Sequence, residues 1–180
     1  MQSMKKNRLS QSLVGISLSL SLLTASSLLL NPTSAHAAAS TSSSTAAYNA
    51  ASTSASQADR IIHTAESYIG KVTYRFGVRD TNHLLLDCSA FTQMVFKQNG
   101  VTIPWGSSAQ ARVGKAVSSK ANLTKGDLVM FSVGTPGKIN HVGIYLGNGK
   151  FISNTKSSGV VINDMNSGYW KNRYITGRHL

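Results

Sequence analysis

The sequence predicts an α+β domain with helices packed on an antiparallel sheet, and three observations predict it. Helix-period segments come early, in QADRIIHTAESYIG and DCSAFTQMVFKQNG. Short β-rich runs follow, GDLVMFS, NHVGIYLG, KFISN, GVVIND and RYITGRH, separated by Gly, Asn and Ser. Helices first and strands afterwards give segregated layers, where alternation would give a doubly wound sheet. The chain shows no internal repeat and no nucleotide-binding glycine loop. Its 180 residues suffice for one good core.

The first residues are read as export signal. MQSMKKNRLS is basic, Leu13 to Leu30 is an apolar, serine-dotted run, and Ala35-His36-Ala37 is a small-x-small cleavage pattern. Residues 1–37 are therefore expected to be a signal peptide, with an uncleaved membrane anchor as the alternative. Residues 38–56 are almost entirely Ala, Ser and Thr. Such a stretch buries too little apolar surface to offset its ordering entropy, so a flexible linker is expected there. The folded domain is expected to be 57–180.

Within that domain, Ile61, Ile62, Ala65 and Ile69 form one helical stripe, with Gly70 as its stop. KVTYRFG is short, β-rich and ends at a glycine. In the second helix Asp87 is a good N-cap, Phe91, Met94 and Val95 share a face, and Asn99-Gly100 closes it. VTIPWGSSAQ turns at Pro104, and a short helix is expected from near Ser108. In HVGIYLG, His141, Gly143 and Tyr145 alternate with Val142, Ile144 and Leu146.

Removing Lys5, Lys6 and Arg8 takes the formal charge from +12 to +9, since no acid precedes Asp59. Basic residues are scattered without a run or aromatic interleaving, which argues against nucleic acid and for anionic polymers outside the cell. There is no His-x-x-Glu-His and no Cys-x-x-Cys, so neither a metal nor a cofactor is expected.

Cys88 is the single cysteine, so no internal disulfide can form. It is buried and inert, paired with another chain, or reactive. Its place in the first helical turn favours reactivity, because free backbone N–H groups and the helix dipole lower a thiol pKa from about 8.5. A thiolate wants an imidazole as its base. His36 lies in the signal region, His179 is one residue from the end, and His63 reads as a surface position on the first helix. His83, five residues before Cys88, is the runner-up to His141.

YRFG, DCSAFTQMVFKQNGVTIP, SSAQ, LTKGDLVMF, NHVGIYLGNGKFI and GVVI resemble, in that order, the NlpC/P60 family of cell-wall cysteine peptidases. The resemblance covers the chain from about Thr64 to its end. It implies a papain-like α+β fold and hydrolysis of peptidoglycan stem peptides between D-γ-glutamyl and a diamino acid. It also implies Cys88 as nucleophile and His141 as base. Tyr74 matches the tyrosine near the oxyanion site, and Asp87 and Ser89 match the motif residues beside the nucleophile. The family's third catalytic position, twelve residues after the base and usually histidine, is Ser153 here, followed by Asn154.

Hairpin length decides which of those two touches His141. A two-residue Asn148-Gly149 turn favours Asn154, and a three-residue Gly147-Asn148-Gly149 loop favours Ser153. Ser153 is expected, through the longer loop. Trp105, at the expected cleft rim, is read as packing in preference to stacking or gating. The expected activity is that of a secreted, wall-associated, monomeric endopeptidase. The alternatives are a weak or silent wall-binding module on the same scaffold, and acyl transfer by the same Cys–His pair.

Overall fold

A computed structural model of the chain describes residues 57–180; the expected signal peptide (1–37) and linker (38–56) lie outside the described residues. Residues 57–66 form α1. Ile61 and Ala65, four apart on one face, are buried. The helix stops short of the expected Gly70. Tyr68 and Ile69 N–H donate to the carbonyls of Ala65 and Glu66, only three residues back, and Ser67 Oγ donates to Thr64 O. These tight turns carry Ile69 off the stripe and leave it 46% exposed.

Three two-residue strands follow, β1 (Thr73–Tyr74), β2 (Arg79–Asp80) and β3 (Leu85–Leu86), in the order β1-β3-β2 with β1 parallel to β3. This small sheet was not expected. It sets Tyr74 beside Leu86 and feeds β3 straight into the cap of the next helix.

Helix α2 (Cys88–Gln98) buries Ala90, Phe91, Met94, Val95 and Phe96. Each large side chain contributes roughly 1.5–3 kcal/mol on burial, against about 1 kcal/mol for a cap. Packing therefore holds the helix, and the cap sets where it begins. Gly100, at φ 79°, turns the chain out. One further helical turn, α3 (Ser107–Gln110), leads into the main sheet.

That sheet is antiparallel throughout and six-stranded. Its strands are β4 (Lys115–Val117), β5 (Leu128–Phe131), β6 (His141–Gly147), β7 (Lys150–Thr155), β8 (Gly159–Asp164) and β9 (Tyr174–His179), in the order β4-β9-β5-β6-β7-β8. Strand alternation gives it two covered faces. Leu128, Met130, Val142, Ile144, Ile152 and Val160 share one core with α2. Val129, Phe131, Tyr145 and Phe151 form a second with Met165 and Trp170, the latter from a 3₁₀ turn (Gly168–Trp170). Phe131 and Phe151 stack at 4.5 Å, and Trp170 meets each at 5.0 Å.

The β6–β7 hairpin follows neither expected form alone. Gly147 pairs with Lys150 across Asn148 and Gly149, whose φ values of 52° and 72° suit a two-residue type I′ turn. A bulge between Tyr145 and Gly147 then absorbs one residue, so Tyr145 faces Phe151 and Ile144 faces Ile152. Continued one step, that register sets Gly143 against Ser153, the outcome expected of the longer loop. A Cβ on Gly143 would stand 2.7 Å from Ile152 O and from the Phe151 ring, so these strands close only around glycine.

Candidate active site

Cys88 is the first residue of α2, and the cap beside it is crowded. Asp87 Oδ1 accepts from Ala90 N–H at 2.7 Å and from Ser89 Oγ at 2.8 Å. Trp105 Nε1 donates to the same carboxylate, at 3.1 Å to Oδ2. Ser89 Oγ in turn accepts from Gly106 N–H, and Gln110 Nε2 donates to Ser89 O and Pro104 O. With Ala90 N–H engaged by Asp87, the N–H groups of Cys88 and Ser89 bear on the sulfur.

This arrangement bears out Asp87 as the cap and revises the reading of Trp105. Asp87 and Ser89 are buried and spend their side chains locking the 104–110 segment onto α2, so neither lines the groove described below. Trp105 is not mere packing, since its indole N–H is part of the cap. Gln110, fully buried and also bonded by Thr92 Oγ1, belongs to the same lock and was not singled out in the sequence. Its only signal was its place in the SSAQ block.

His141 opens β6 and is 5% exposed. Its Nε2 lies 3.0 Å from Ser153 Oγ. The Trp170 ring covers the imidazole at 5.0 Å and 31°. Trp170 is a second residue that sequence reasoning missed, because nothing local in SGYWKN ties it to a strand thirty residues upstream. Burial pushes the His141 pKa down to about 4, so the ring is neutral. Nδ1 makes no hydrogen bond among the described residues, so Ser153 leaves it as the free nitrogen of the ring. Asn154, the other candidate, points to the α2 face, where its Nδ2 donates to Leu86 O at 2.8 Å.

The thiol contradicts the expected lowered pKa. Cys88 is 6% exposed, and burial raises its pKa to about 11 although the N–H groups of Val142, Ser89 and Cys88 itself favour the thiolate. The magnitudes explain the outcome. A helix terminus contributes about 0.3–1 kcal/mol, whereas taking an ion out of water costs several. The resting pair is a neutral thiol and a neutral imidazole. Val142, whose N–H reaches the sulfur, immediately follows His141, so the start of β6 lies against the N-terminus of α2.

Tyr74 lies half-buried over this junction. Its phenol pKa is raised by burial first, then by the neighbouring charges of Cys88 and Asp87. With His141, Trp170 and Tyr169 it lines a groove of about 750 Å³, whose opposite wall is the Thr155–Ser158 turn with Val161 and Asn163. Cys88 does not line this groove.

The other histidines lie elsewhere. His83 is exposed and paired to Asp80 at 2.7 Å, His63 is exposed on α1, and His179 Nδ1 lies 2.7 Å from Asp127 Oδ1. Among the described residues no three His, Cys, Asp or Glu side chains gather as a metal would require.

Known proteins similar to this chain agree on its family. The chain is 43% identical over 110 residues to the murein DD-endopeptidase MepS/murein LD-carboxypeptidase of Escherichia coli, an alignment covering 61% of this chain and 56% of that protein. It is 35% identical over 118 residues to the peptidoglycan DL-endopeptidase CwlO of Bacillus licheniformis, covering 63% and 26%. The chain thus spans about half of the first relative and a quarter of the second. Among solved structures, an NlpC/P60 family protein from Bacillus cereus superposes with a TM-score of 0.60 at 32% identity, covering 68% of this chain and 39% of that one. The NlpC/p60 domain of the peptidoglycan hydrolase SagA does so at 0.56 and 28%, covering 68% and 98%. Residues 70–179 match the NlpC/P60 family as a whole, and the chain belongs to it.

Proposed function

We propose that the protein is a secreted, wall-associated peptidoglycan endopeptidase that cleaves the D-γ-glutamyl–diamino acid bond of stem peptides through an acyl-enzyme on Cys88. The observation that carries this reading is the junction of the α2 N-terminus with the start of β6, where Cys88 meets the N–H of Val142 and the adjacent His141 is held by Ser153. The names of the relatives support the substrate class, and the basic, apolar, small-residue order of 1–37 supports export.

With Ser153 Oγ accepting from Nε2–H, Nδ1 carries the free electron pair. His141 takes the Cys88 proton as sulfur bonds to the scissile carbonyl carbon, and the two charges appear together within the site. The N–H groups of Cys88 and Ser89, with Tyr74 nearby, stabilise the oxyanion. His141 then gives its proton to the leaving amine as the C–N bond breaks. Water, deprotonated by the same nitrogen, cleaves the thioester and restores the thiol.

Purified protein should release stem-peptide fragments from sacculi, and Cys88→Ala should release none. Unchanged release by the variant discards the mechanism. Product masses identify the bond, including the cross-link that the name of the Escherichia coli relative indicates. The sealed thiol and the neutral third residue favour a second reading, a weakly active or silent module held on anionic wall polymers by its positive charge. Wall binding without any fragment release would establish that reading.

A further inference from the structure

Trp105 is 41% exposed, yet it is tied to α2 through its neighbours, its N–H and its ring. Before it, Pro104 O accepts from Gln110 Nε2; after it, Gly106 N–H donates to Ser89 Oγ. Its indole N–H reaches Asp87, at 3.1 Å to Oδ2 and 3.3 Å to Oδ1. Over the ring stands the Arg79 guanidinium from β2, 5.2 Å from the centroid, and Arg79 Nη1 donates to Gln93 Oε1 on α2. Gln93 Nε2 in turn donates to Ile103 O, two residues before Trp105.

The two oxygens of Asp87 are served differently. Oδ1 accepts from Ala90 N–H and Ser89 Oγ, which fixes the cap. Oδ2 has the indole as its one hydrogen-bond donor among the described residues. The carboxylate is 8% exposed, so water screens it little. It adjoins Cys88, and after burial its charge is the remaining influence that opposes ionisation of the thiol. The other groups at the sulfur are Tyr74 from β1 and, from β6, the N–H of Val142 beside the neutral His141. None of these donates to Asp87. The positive end of the indole N–H dipole on Oδ2, backed by the Arg79 charge, therefore offsets the negative potential that the carboxylate casts on the sulfur.

We propose that Trp105 is a positioning residue for the nucleophile: its indole N–H holds the Asp87 carboxylate and offsets its charge, so that Cys88 gives up its proton more readily as the reaction begins. The inference rests on Cys88 as the nucleophile of the endopeptidase reading. It is read from the thiol itself, so its failure and the failure of that reading are separate results.

The test is the pH profile of Cys88 alkylation by iodoacetamide, with product mass confirming the site. Below the thiol pKa of about 11 the rate follows the thiolate fraction, so altered charge at the sulfur reads directly as a fold-change. Trp105→Phe keeps an aromatic ring under Arg79 and removes the N–H. It should slow alkylation about five-fold at each pH, and lower kcat for fragment release by about the same factor with KM little changed. A merely structural loss has the opposite sign, since a loosened core admits water to the thiol and speeds the reaction. Asp87→Asn keeps a capping oxygen and should speed alkylation about five-fold; in that background Trp105→Phe should have no further effect. Alkylation that Trp105→Phe leaves unchanged or accelerates, or a slowing that persists beside Asp87→Asn, overturns the inference and leaves the endopeptidase reading intact. So does an Asp87→Asn protein that reacts no faster, which decides the matter even where Trp105→Phe folds poorly. Slowed alkylation in a protein whose wild type releases no fragments from sacculi supports the role of Trp105 and counts against the endopeptidase.

Discussion

Acidification should weaken the fold through one identifiable side chain. The His141 imidazole is buried and neutral, with a pKa of about 4 against an ordinary 6.5. In the unfolded chain the ring gains its proton as pH falls through 6.5, while the folded protein resists until about 4. Its contribution to stability is therefore complete above 6.5 and declines by about 1.4 kcal/mol per pH unit below it. It is gone below 4, a total of about 3 kcal/mol. That is a large share of the 5–15 kcal/mol by which a typical domain is stable. Urea unfolding across this range, for wild type and for His141→Gln, measures it. The glutamine keeps a hydrogen-bonding group near Ser153 and has nothing to protonate. Asp80 and Asp164, held below the usual carboxylate range mainly by hydrogen bonds from His83 and from Asn166 respectively, contribute acid sensitivity to both proteins and cancel in the difference. The two profiles should diverge by about 3 kcal/mol as pH drops to 4. An NMR titration of the His141 ring gives the midpoint directly, even where the variant folds poorly. Parallel profiles, or a midpoint at 6 or above, would refute the buried neutral imidazole and the neutral-pair mechanism with it.

Alkylation of Cys88 by iodoacetamide should accelerate about ten-fold per pH unit and still be rising at pH 10, because its thiol is pushed up to about 11; a plateau from neutral pH would mean a preformed thiolate. The same shift makes the thiol destabilising as pH rises from about 9 towards 11, a loss that Cys88→Ala should lack in alkaline unfolding curves. Ser153→Ala leaves the imidazole Nε2 without its partner in a fully buried site and should cost about 1–3 kcal/mol, with kcat falling more than KM. Intact kinetics in that variant would reduce Ser153 to packing. Gly143→Ala drives a methyl against Ile152 O and the Phe151 ring and should cost about 1–3 kcal/mol, seen as a melting point several degrees lower; an unchanged melting point would mean that β6 and β7 can part without penalty.

Helix α2, its Asp87 cap and five of the six main strands, all but β4, were legible because each depends on residues a few positions apart: an apolar period, a side chain reaching the N–H three residues on, a glycine where φ turns positive. The early helix was misread at Ile69, since two three-residue hydrogen-bonded turns can end a period that looks unbroken. The pairing of His141 with Ser153 was reachable from register, although the bulge that produces it was not. What the linear order could not convey is how much of the site lies under cover. Cys88 meets the N–H of Val142, Trp170 lies over His141, and Asn154 turns away to Leu86. Each contact joins positions far apart in the chain, and each decides how much water reaches a titratable group. The helix terminus that favours a thiolate is a local feature, whereas the desolvation that overrides it belongs to the assembled core, and the larger energy prevails.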